Sequence, residues 1–504
     1  MRISEAFRLS QRNRKRADTS DHPKGKVAST EPGHPRTFVP LSMEARSVRF
    51  VCDSCPGELL RGSPGTLVRR VCTDSRRIQP DDLFFALKGD QFDGHDFVEQ
   101  VAQKGAAALV VERAKAPAED LGCAIIGVEE TRQALGRLAA CYRADFQLPI
   151  VAVGGSNGKT TTKELLASVL RQKFPTLWSE ASFNNDIGVP LTLLRLERSH
   201  KAAVVEVGTN HPGELAPLVR LIQPQFGVLT NVGREHLEFF GDLAGVAQEE
   251  GWLAELLPRT GALFINGDNE WTQQIIKRTQ APVVKVGFGS KNDWRAEGVR
   301  LDGTGIAFQV CGAQSKFSGE YRVNLWGRHQ ALNALFALAV GAELGVSPDE
   351  ARRGLANCQP PKMRLQVWEA NGVTVLDDSY NANADSMLAA LQTLHDFPCA
   401  GRRVAVLGDM AELGEHSASA HGEIGQRAAE LGVGHLIAVG KWAEHTGEAA
   451  RAAGLRNISQ CVDVLIAGAA IKEMVKPGDV VLLKASRAAG FERIGDVMRG
   501  LRES

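Results

Sequence analysis

Residues 151–164, with the sequence VAVGGSNGKTTTKE, constrain the fold more than any other stretch of the chain. Residues 151–154 are small or apolar and predict the end of a buried strand. Residues 155–158 then predict a turn that bulky side chains could not follow, because this turn begins and ends with glycine. Lys159 opens a predicted helix that continues through Leu165, Leu166 and Val169.

A strand, a glycine-rich turn, a Lys-Thr pair and a helix together predict a phosphate-binding loop. Backbone N–H groups and the helix N-terminus point at a polyphosphate, the ammonium of Lys159 reaches the outer phosphates, and a Thr hydroxyl can bind Mg²⁺. The usual pattern has a glycine where this chain has Val153, so the loop is one residue short when counted from Gly154. A strand-to-helix turn without a ligand is the alternative. The predicted nucleotide-binding residues of this loop are Gly155, Ser156, Asn157, Gly158, Lys159, Thr160 and Thr161.

The composition excludes several classes of protein. A chain of 504 residues is long enough for about three domains. Lys+Arg and Asp+Glu both number 59, so no overall field attracts nucleic acid or an anionic membrane. No apolar run approaches the ~18 residues of a membrane span. The nine cysteines are scattered and odd in number, which indicates reduced thiols and a cytoplasmic location.

Patterning predicts an α/β protein in four parts. Residues 1–45 are rich in Lys and Arg without apolar periodicity, which predicts a disordered basic extension. Residues 46–147 predict a small α/β domain and residues 148–358 a central domain with a parallel sheet. Residues 359–504 alternate strand and helix again, with strands at 373–378, 403–408, 435–440 and 480–484, and predict a second doubly wound sheet.

Polar residues follow several of these strands. Glu206 ends a predicted strand at 201–208, and an acid at the carboxyl end of a parallel strand faces the ligand crevice, where it can bind Mg²⁺. His236 follows a predicted strand at 227–231; a lone His is usually an ordinary polar residue, but this position adds weight to a metal role. The clusters DDSYNAN, GDMAELG and KASR end strands of the last domain and indicate the edge of a cleft.

Residues 72–97 hold polar side chains suited to a diphosphate or to the edge of a uracil. Ser75 and Arg76 precede a turn, a strand is predicted at 83–87, and Lys88 begins the next loop. A solvated loop explains these residues equally well.

The chain closely resembles the cytoplasmic Mur ligases over roughly residues 46–504. The motifs that carry the resemblance are GSNGKTTTKE, NNDIGVP, EVGTNHPGE, the loop at His236, GRHQALNA, DDSYNANADSM, GDMAELGEHS and KASR, in this order. The resemblance implies a uridine-binding domain, a central ATPase domain and a C-terminal Rossmann-like domain. It also implies a monomeric, ATP- and Mg²⁺-dependent ligase that inserts into no membrane. GDMAELGEHS is the signature of the member that adds D-alanyl-D-alanine to UDP-N-acetylmuramoyl-tripeptide through an acyl phosphate, the last cytoplasmic step of peptidoglycan precursor synthesis.

The resemblance also implies roles for single residues. Thr160 and Glu206 would bind one Mg²⁺, and His236 a second. Asn333, in a predicted helix at 326–338, would meet the adenine, while Arg364 and Asp378 would close over the nucleotide. The residues implied to meet the substrate are Ser75, Arg76 and Lys88 for its UDP part and, near the peptide, Asn185, Ser486 and Arg487.

One position departs from the family pattern. Many relatives have a carbamoylated Lys that carries an anion to the second Mg²⁺, and the matching position here, in GVAQEEGWL, is Glu250. Both groups offer a pair of oxygens to a hard cation. The hypothesis is that Glu250 is a permanent carboxylate in place of the modified Lys; the alternative is a solvent-exposed Glu250 and a second metal held differently.

Other functions share parts of this pattern. Another Mur ligase or a folylpolyglutamate synthase would use the same loop and the same ligation logic, although the latter should lack the uridine-type domain and DDSYNAN. A P-loop GTPase or transport ATPase is the alternative from a different class. The short loop and the third sheet domain disfavour it.

Overall fold

A computed structural model of the chain describes residues 42–89, 91–312 and 314–500. The prediction of a disordered extension concerns residues 1–45, of which 1–41 lie outside this described part. Within the described residues, the contacts form two compact units: the first comprises the residues up to 147 together with 190–199 and 343–345, and the second comprises the others. No helix in the described ranges is long and apolar enough to cross a bilayer.

The first unit contains a five-stranded sheet in the order β2-β7-β6-β5-β4. Only β2 runs antiparallel to its neighbour. The inner strands are continuous apolar runs, because both of their faces are buried. β1 and β3 form a separate antiparallel pair. The strands are β1 (Arg46–Ser47), β2 (Glu58–Arg61), β3 (Leu67–Val68), β4 (Arg70–Cys72), β5 (Asp82–Phe85), β6 (Ala108–Glu112) and β7 (Ala124–Val128), and the α-helices are Val48–Ser54, Val98–Gln103 and Thr131–Ala144.

The second unit begins with a nine-stranded sheet in the order β16-β15-β14-β13-β12-β11-β8-β10-β9. It is parallel from β9 to β14 and ends in the antiparallel meander β14-β15-β16. β8 lies between β10 and β11, where the strand order reverses, so its carboxyl end opens into the crevice of a doubly wound sheet. The strands are β8 (Ile150–Gly154), β9 (Thr176–Trp178), β10 (Ala202–Glu206), β11 (Phe226–Leu229), β12 (Ala262–Asn266), β13 (Val283–Gly287), β14 (Trp294–Asp302), β15 (Gly305–Gly312) and β16 (Gly319–Val323).

The helices between residues 159 and 357 begin with the one that follows the phosphate loop. The predicted helix at 326–338 is displaced: it begins at His329, after Gly327 in a left-handed conformation, and extends to Glu343 because the apolar face continues. The helices are Lys159–Leu170, Gly188–Leu193, Leu215–Ile222, Leu237–Phe240, Leu243–Glu255, Thr272–Ile275, His329–Glu343 and Pro348–Asn357.

The second unit also contains a six-stranded sheet in the order β17-β18-β22-β19-β20-β21. Four of its strands lie within one residue of the predicted ranges, and β17, which is antiparallel to β18, and β21 were not predicted. The strands are β17 (Gln366–Ala370), β18 (Val373–Asp377), β19 (Arg403–Leu407), β20 (His435–Val439), β21 (Ile458–Cys461) and β22 (Val480–Lys484), and the α-helices are Ala384–Asp396, Ser417–Glu430, Ala443–Ala452, Val464–Met474 and Glu492–Arg499. The predicted α/β architecture with three sheet domains is therefore confirmed.

Candidate active site

The phosphate loop connects β8 to the helix Lys159–Leu170. Gly155 has φ 109° and Gly158 has φ 82°, a left-handed backbone that residues with a side chain rarely adopt. A Cβ on Gly155 would lie 2.8 Å from the carbonyl oxygen of Asn231, and one on Gly158 would lie 2.6 Å from Oδ1 of Asn333. Backbone conformation and space therefore both require glycine at these two positions.

The loop is fastened to the segment that follows β11. The N–H of Ser156 donates to the carbonyl of Asn231 at 2.9 Å, and the N–H of Asn157 donates to Oδ1 of Asn231 at 2.9 Å. The Ser156 hydroxyl accepts from the N–H of Gly233 at 2.8 Å. These bonds hold the loop in one conformation at the helix N-terminus, an arrangement that binds anions.

The ammonium of Lys159 lies against this loop and beside a carboxylate. Its Nζ donates to the carbonyl of Ser156 at 3.2 Å and lies 3.5 Å from Oε2 of Glu235. Burial disfavours the charged ammonium, but nearby carboxylates outweigh that effect, so the pKa of Lys159 lies above its ordinary value. The side chain is therefore a cation suited to a polyphosphate. The carboxylates that act on it are Glu235, Glu250 and Glu206.

Thr160 and Glu206, the two predicted ligands of one Mg²⁺, lie together. The Thr160 hydroxyl donates to Oε1 of Glu206 at 3.1 Å, and Nδ2 of Asn184 donates to the same oxygen at 3.0 Å. The other oxygen of Glu206 is buried without a hydrogen-bond partner, and the nearest cation recorded beside it is Nζ of Lys163 at 4.0 Å. A buried carboxylate oxygen without a donor, next to a hydroxyl, fits a hard cation.

The described residues do not form a complete metal cage by themselves. In this part of the chain, no three His, Cys, Asp or Glu side chains converge to hold a metal ion. Mg²⁺ usually binds through one or two carboxylates and completes its shell with phosphate oxygens and water. The pair of Thr160 and Glu206 is therefore suited to a cation that arrives with a nucleotide.

Glu250 lies on the helix Leu243–Glu255 and is 1% exposed, so the alternative of a solvent-exposed side chain is wrong. Its Oε2 accepts from the N–H of Gly155 at 2.8 Å, while its Oε1 is buried without a partner. Burial, assisted by the charge of Glu235, raises the pKa of Glu250 to about 8. Glu250 therefore supports the phosphate loop and keeps one oxygen uncommitted.

His236 contacts the last sheet domain rather than the phosphate loop. It has φ 49° and precedes the short helix Leu237–Phe240, and its Nδ1 hydrogen-bonds Oε2 of Glu412. Glu412 belongs to the GDMAELG cluster, and its carbonyl accepts from the N–H of Glu238 at 3.1 Å. Because Nδ1 of His236 is engaged with Glu412, Nε2 is the ring nitrogen that does not take part in this hydrogen bond.

Asn333, predicted to meet the adenine, and Asp378, predicted to close over the nucleotide, both form hydrogen bonds within the protein. Asn333 is buried behind Gly158, where its Oδ1 accepts from the Thr162 hydroxyl at 3.2 Å. Asp378 accepts from the N–H of Leu365 at 3.1 Å and from Nζ of Lys484 at 2.5 Å.

Two arginines that were predicted to bind nucleotide or substrate, Arg364 and Arg487, lie near the ring of Tyr380. The guanidinium of Arg364 lies 4.3 Å from the centroid of this ring and that of Arg487 lies 6.0 Å away, while the Tyr380 hydroxyl hydrogen-bonds that of Ser182. The positive charge of Arg364 also acts to lower the pKa of Lys159, against the larger effect of the nearby carboxylates.

The two other residues predicted near the peptide are occupied by local bonds. Oδ1 of Asn185 accepts from the N–H groups of Ile187 at 3.2 Å and Gly188 at 2.9 Å. The buried Ser486 hydroxyl accepts from the N–H of Ala411 at 2.8 Å and donates to the carbonyl of Ala382 at 3.2 Å. Both side chains shape loops at strand ends, and Asn185 is the more exposed of the two.

A cavity of about 470 Å³ opens at the carboxyl ends of β19 and β20. Its wall carries carboxylates at Glu238, Asp409 and Glu412, a cation at Lys441, the aromatic ring of Trp442 and several alanines. Glu412 also pairs with His236, so one end of the cavity reaches the segment after β11.

The predicted UDP-binding residues of the first unit lie on loops. Arg76 makes two hydrogen bonds of 2.9 Å to the carboxylate of Asp74, and its side chain is 87% exposed. The Ser75 carbonyl accepts from Nζ of Lys104 at 2.8 Å, and Lys88 is exposed. The buried pair of Arg70 and Asp82 supports the turn that follows Arg76, because Asp82 also accepts from the N–H of Gln79 at 2.8 Å.

The sequence analysis assigned no individual role to several residues that organise the site. Asn231 and Glu235 follow β11, and Asn383 and Glu412 lie in the DDSYNAN and GDMAELG clusters. Their position after parallel strands was a signal that they face the crevice. Their partners could not be read from the sequence, because each partner comes from a distant segment.

Three family models match this chain. They are the Mur ligase family catalytic domain at residues 67–143, the Mur ligase middle domain at 153–341, and the Mur ligase glutamate ligase domain at 363–487.

Individual relatives match nearly the whole chain. The UDP-N-acetylmuramoyl-tripeptide–D-alanyl-D-alanine ligase of Escherichia coli is 38% identical, over 90% of this chain and 97% of the relative. The crystal structure of MurF from Acinetobacter baumannii has a TM-score of 0.83 and 32% identity, and covers 90% of this chain and 99% of its own. MurF from Thermotoga maritima in complex with ADP has a TM-score of 0.75 and 29% identity, over 86% and 97%. The matches in sequence and in fold agree, and this chain belongs to the Mur ligase family.

Proposed function

We propose that this chain is an ATP-dependent amide ligase that joins D-alanyl-D-alanine to UDP-N-acetylmuramoyl-tripeptide, the last cytoplasmic step of peptidoglycan precursor synthesis. The observation that carries the proposal is a built phosphate cradle in a chain whose relatives of that name match nine-tenths of its length. The domain boundaries proposed with it are 46–147, 148–358 and 359–504. The proposed enzyme acts as a monomer, and its nine free cysteines fit a reducing cytoplasm.

A carboxylate is a poor electrophile, so the reaction needs activation before an amide can form. Transfer of the γ-phosphoryl group of ATP to the terminal carboxylate of the tripeptide gives an acyl phosphate. The free amine of the dipeptide then attacks its carbonyl carbon, and phosphate leaves. Lys159 offsets the repulsion between the phosphates and the incoming carboxylate, and the loop N–H groups orient the phosphates.

Mg²⁺ is the cation that this site fits. Thr160 and the unpartnered oxygen of Glu206 would hold one ion. The groups proposed for a second are the unpartnered oxygen of Glu250 and, through Nε2, His236. Bound there, Mg²⁺ would neutralise charge that develops on the transferred phosphoryl group. In the absence of the ion, Glu250 positions the loop through the N–H of Gly155.

The cavity at β19 and β20 suits the dipeptide. D-Alanyl-D-alanine carries an ammonium at one end, a carboxylate at the other and two methyl groups. Lys441 would bind its carboxylate, and the small apolar wall would accept its methyls. Glu412 would then face the amine, at the end of the cavity that leads to His236.

The remaining predicted contacts belong to the proposal. Asn333, Arg364 and Asp378 would hold the adenosine. The residues proposed for the UDP-tripeptide are Ser75, Arg76 and Lys88 at the UDP part, and Asn185, Ser486 and Arg487 near the peptide.

The test is phosphate release with the purified chain, ATP and Mg²⁺. Release should require both UDP-N-acetylmuramoyl-tripeptide and D-alanyl-D-alanine, and mass spectrometry should find the joined pentapeptide. The tripeptides with meso-diaminopimelate and with L-lysine should be assayed in parallel. Phosphate release without the dipeptide would indicate an ATPase, and ligation of glutamate to a folate would indicate a folylpolyglutamate synthase; either result would overturn the proposal.

A further inference from the structure

The segment that follows β11, residues 231–241, is bound from two sides. On one side, Asn231 and Gly233 hold the phosphate loop, and Glu235 lies beside Lys159. On the other side, the segment contacts two helices of the six-stranded sheet domain, mainly through Arg234.

Arg234 meets two carboxylates from two different helices. Its backbone N–H donates to Oδ2 of Asp385 at 2.7 Å, and its Nε donates to Oδ1 of Asp385 at 2.8 Å. Its two terminal nitrogens donate to Glu423, at 2.6 Å and 3.4 Å. Asp385 lies in the first turn of the helix Ala384–Asp396, and Glu423 lies within the helix Ser417–Glu430. One planar guanidinium therefore binds two carboxylates in the geometry that distinguishes Arg from Lys.

The backbone beside Arg234 is shaped for this contact. A Cβ on Gly233 would lie 2.7 Å from Oδ2 of Asp385, so a side chain there would push the carboxylate away. A second link runs in parallel, since Nδ2 of Asn383 donates to Oδ1 of Asn157 in the phosphate loop at 2.9 Å. The N-terminal turn of one helix thus reaches both the phosphate loop and the segment after β11.

We propose that Arg234 is a positioning residue that fastens Glu235 and His236 to the six-stranded sheet domain. The contact couples the docking of the helices Ala384–Asp396 and Ser417–Glu430 to the alignment of Glu235 beside Lys159. Without it, the segment would keep its bonds to the phosphate loop but would lose its fixed direction. Arg234 is not among the residues predicted to meet a substrate, so its proposed role is to act through its neighbours.

Arg322 provides a matched control. It is an exposed Arg of the same nine-stranded sheet that also binds two carboxylates, Asp302 at 2.7 Å and Glu320 at 3.0 Å, and it lies on β16 at the far edge of that sheet. Arg322→Gln should therefore lose the same kind of ion pairs without touching residues 231–241.

The first readout is hydrogen–deuterium exchange of the ligand-free chain, which does not depend on the proposed activity. Arg234→Gln should exchange faster than wild type at residues 233–241 and at 384–388, and Arg322→Gln should exchange there as wild type does. Exchange in Glu423→Gln, which loses one arm, should lie between the two. Unchanged exchange at residues 233–241 in Arg234→Gln would overturn the proposal.

The second readout is the split between kcat and KM in the ligase assay. Because the contact aligns the site rather than binding substrate, kcat of Arg234→Gln should fall on the order of tenfold while KM for the UDP-tripeptide stays within about twofold. Arg234→Lys should recover only part of kcat, because an ammonium cannot bind both carboxylates in the same way. Faster exchange with an unchanged kcat would mean a purely structural contact and would overturn the positioning role. If the wild type had no ligase activity, that result would count against the proposed function. The exchange experiment would still decide whether Arg234 fastens residues 233–241 to the six-stranded sheet domain.

Discussion

The phosphate loop and the segment of residues 72–97, which contains β5, differ in what holds their predicted site residues. In the phosphate loop, backbone bonds to Asn231 and a buried carboxylate at Glu250 fix every turn before any ligand is considered. In residues 72–97, Arg76 is largely exposed and bonded to its own neighbour Asp74. The buried pair of Arg70 and Asp82 fixes the backbone there rather than the side chains that would meet a ligand.

This difference separates two kinds of binding site. A site made of backbone N–H groups and a helix N-terminus is part of the fold, so disturbing it should affect the ligand and the structure together. A site made of exposed side chains on a fixed loop can lose a contact without loss of stability. Substitutions that disturb the phosphate loop should therefore affect both activity and stability, whereas substitutions of exposed side chains in residues 72–97 should affect ligand binding alone.

The largest effect is expected at Lys159. Replacing it with Ala removes the cation proposed to face the phosphates, so kcat/KM for ATP should fall on the order of 10³-fold. The assay is phosphate release in the presence of both substrates. Lys277→Ala, at an exposed position of the same domain, is the control and should behave as wild type. A loss smaller than about tenfold would show that the phosphates lie away from this loop.

Glu250→Gln should separate loop support from charge. Gln still accepts from the N–H of Gly155 but offers no carboxylate, so kcat should fall on the order of 10²-fold, and bicarbonate should not alter wild-type activity. In the ligand-free chain, Glu250 keeps its proton up to a pKa of about 8, whereas in the unfolded chain the group ionises near its ordinary pKa of 4.5. Its contribution to stability is therefore present below pH 4.5 and is lost as the pH rises toward 8.

The corresponding measurement is the Tm of the ligand-free chain between pH 5 and pH 8. Wild type should lose stability relative to Glu250→Gln across this window, so that the variant has the higher Tm at the alkaline end. Parallel Tm curves would mean that Glu250 is ionised throughout, and near-normal activity of the variant would refute its role as a replacement for a modified Lys.

The sequence predicted the parts of the fold that follow from local pattern. Apolar runs such as 150–154 and 480–484 are buried on both faces and became strands at the expected places. The meander β14-β15-β16 was missed because its strands mix exposed charged residues and glycines with buried positions, which weakens alternation. The helix after Gly327 was placed too early because a left-handed glycine is not distinguishable from a helical one by composition.

The candidate site was predictable where one segment supplies all the geometry. Gly155, Gly158 and Lys159 lie as the motif requires. Thr160 meets Glu206 because Glu206 ends β10 and Thr160 follows the loop after β8, its parallel neighbour. The contacts of His236 with Glu412 and of Arg234 with Asp385 join segments more than a hundred residues apart, and no local pattern specifies such pairs. Specific roles for the substrate-binding residues remain predictions.

The smallest effect is expected at Arg76, an exposed side chain in the segment of residues 72–97. Arg76→Ala should raise KM for the UDP-tripeptide by about tenfold through loss of a charge-assisted contact with the diphosphate. Tm should stay unchanged, because an exposed pair with Asp74 adds little to stability. Arg113→Ala is the control, since Arg113 is also exposed in the first unit and pairs with Glu58 at 3.5 Å. Equal KM values in the two variants would place the diphosphate away from this loop, and a fall in Tm with Arg76→Ala would mean that its side chain supports the fold as the phosphate loop does.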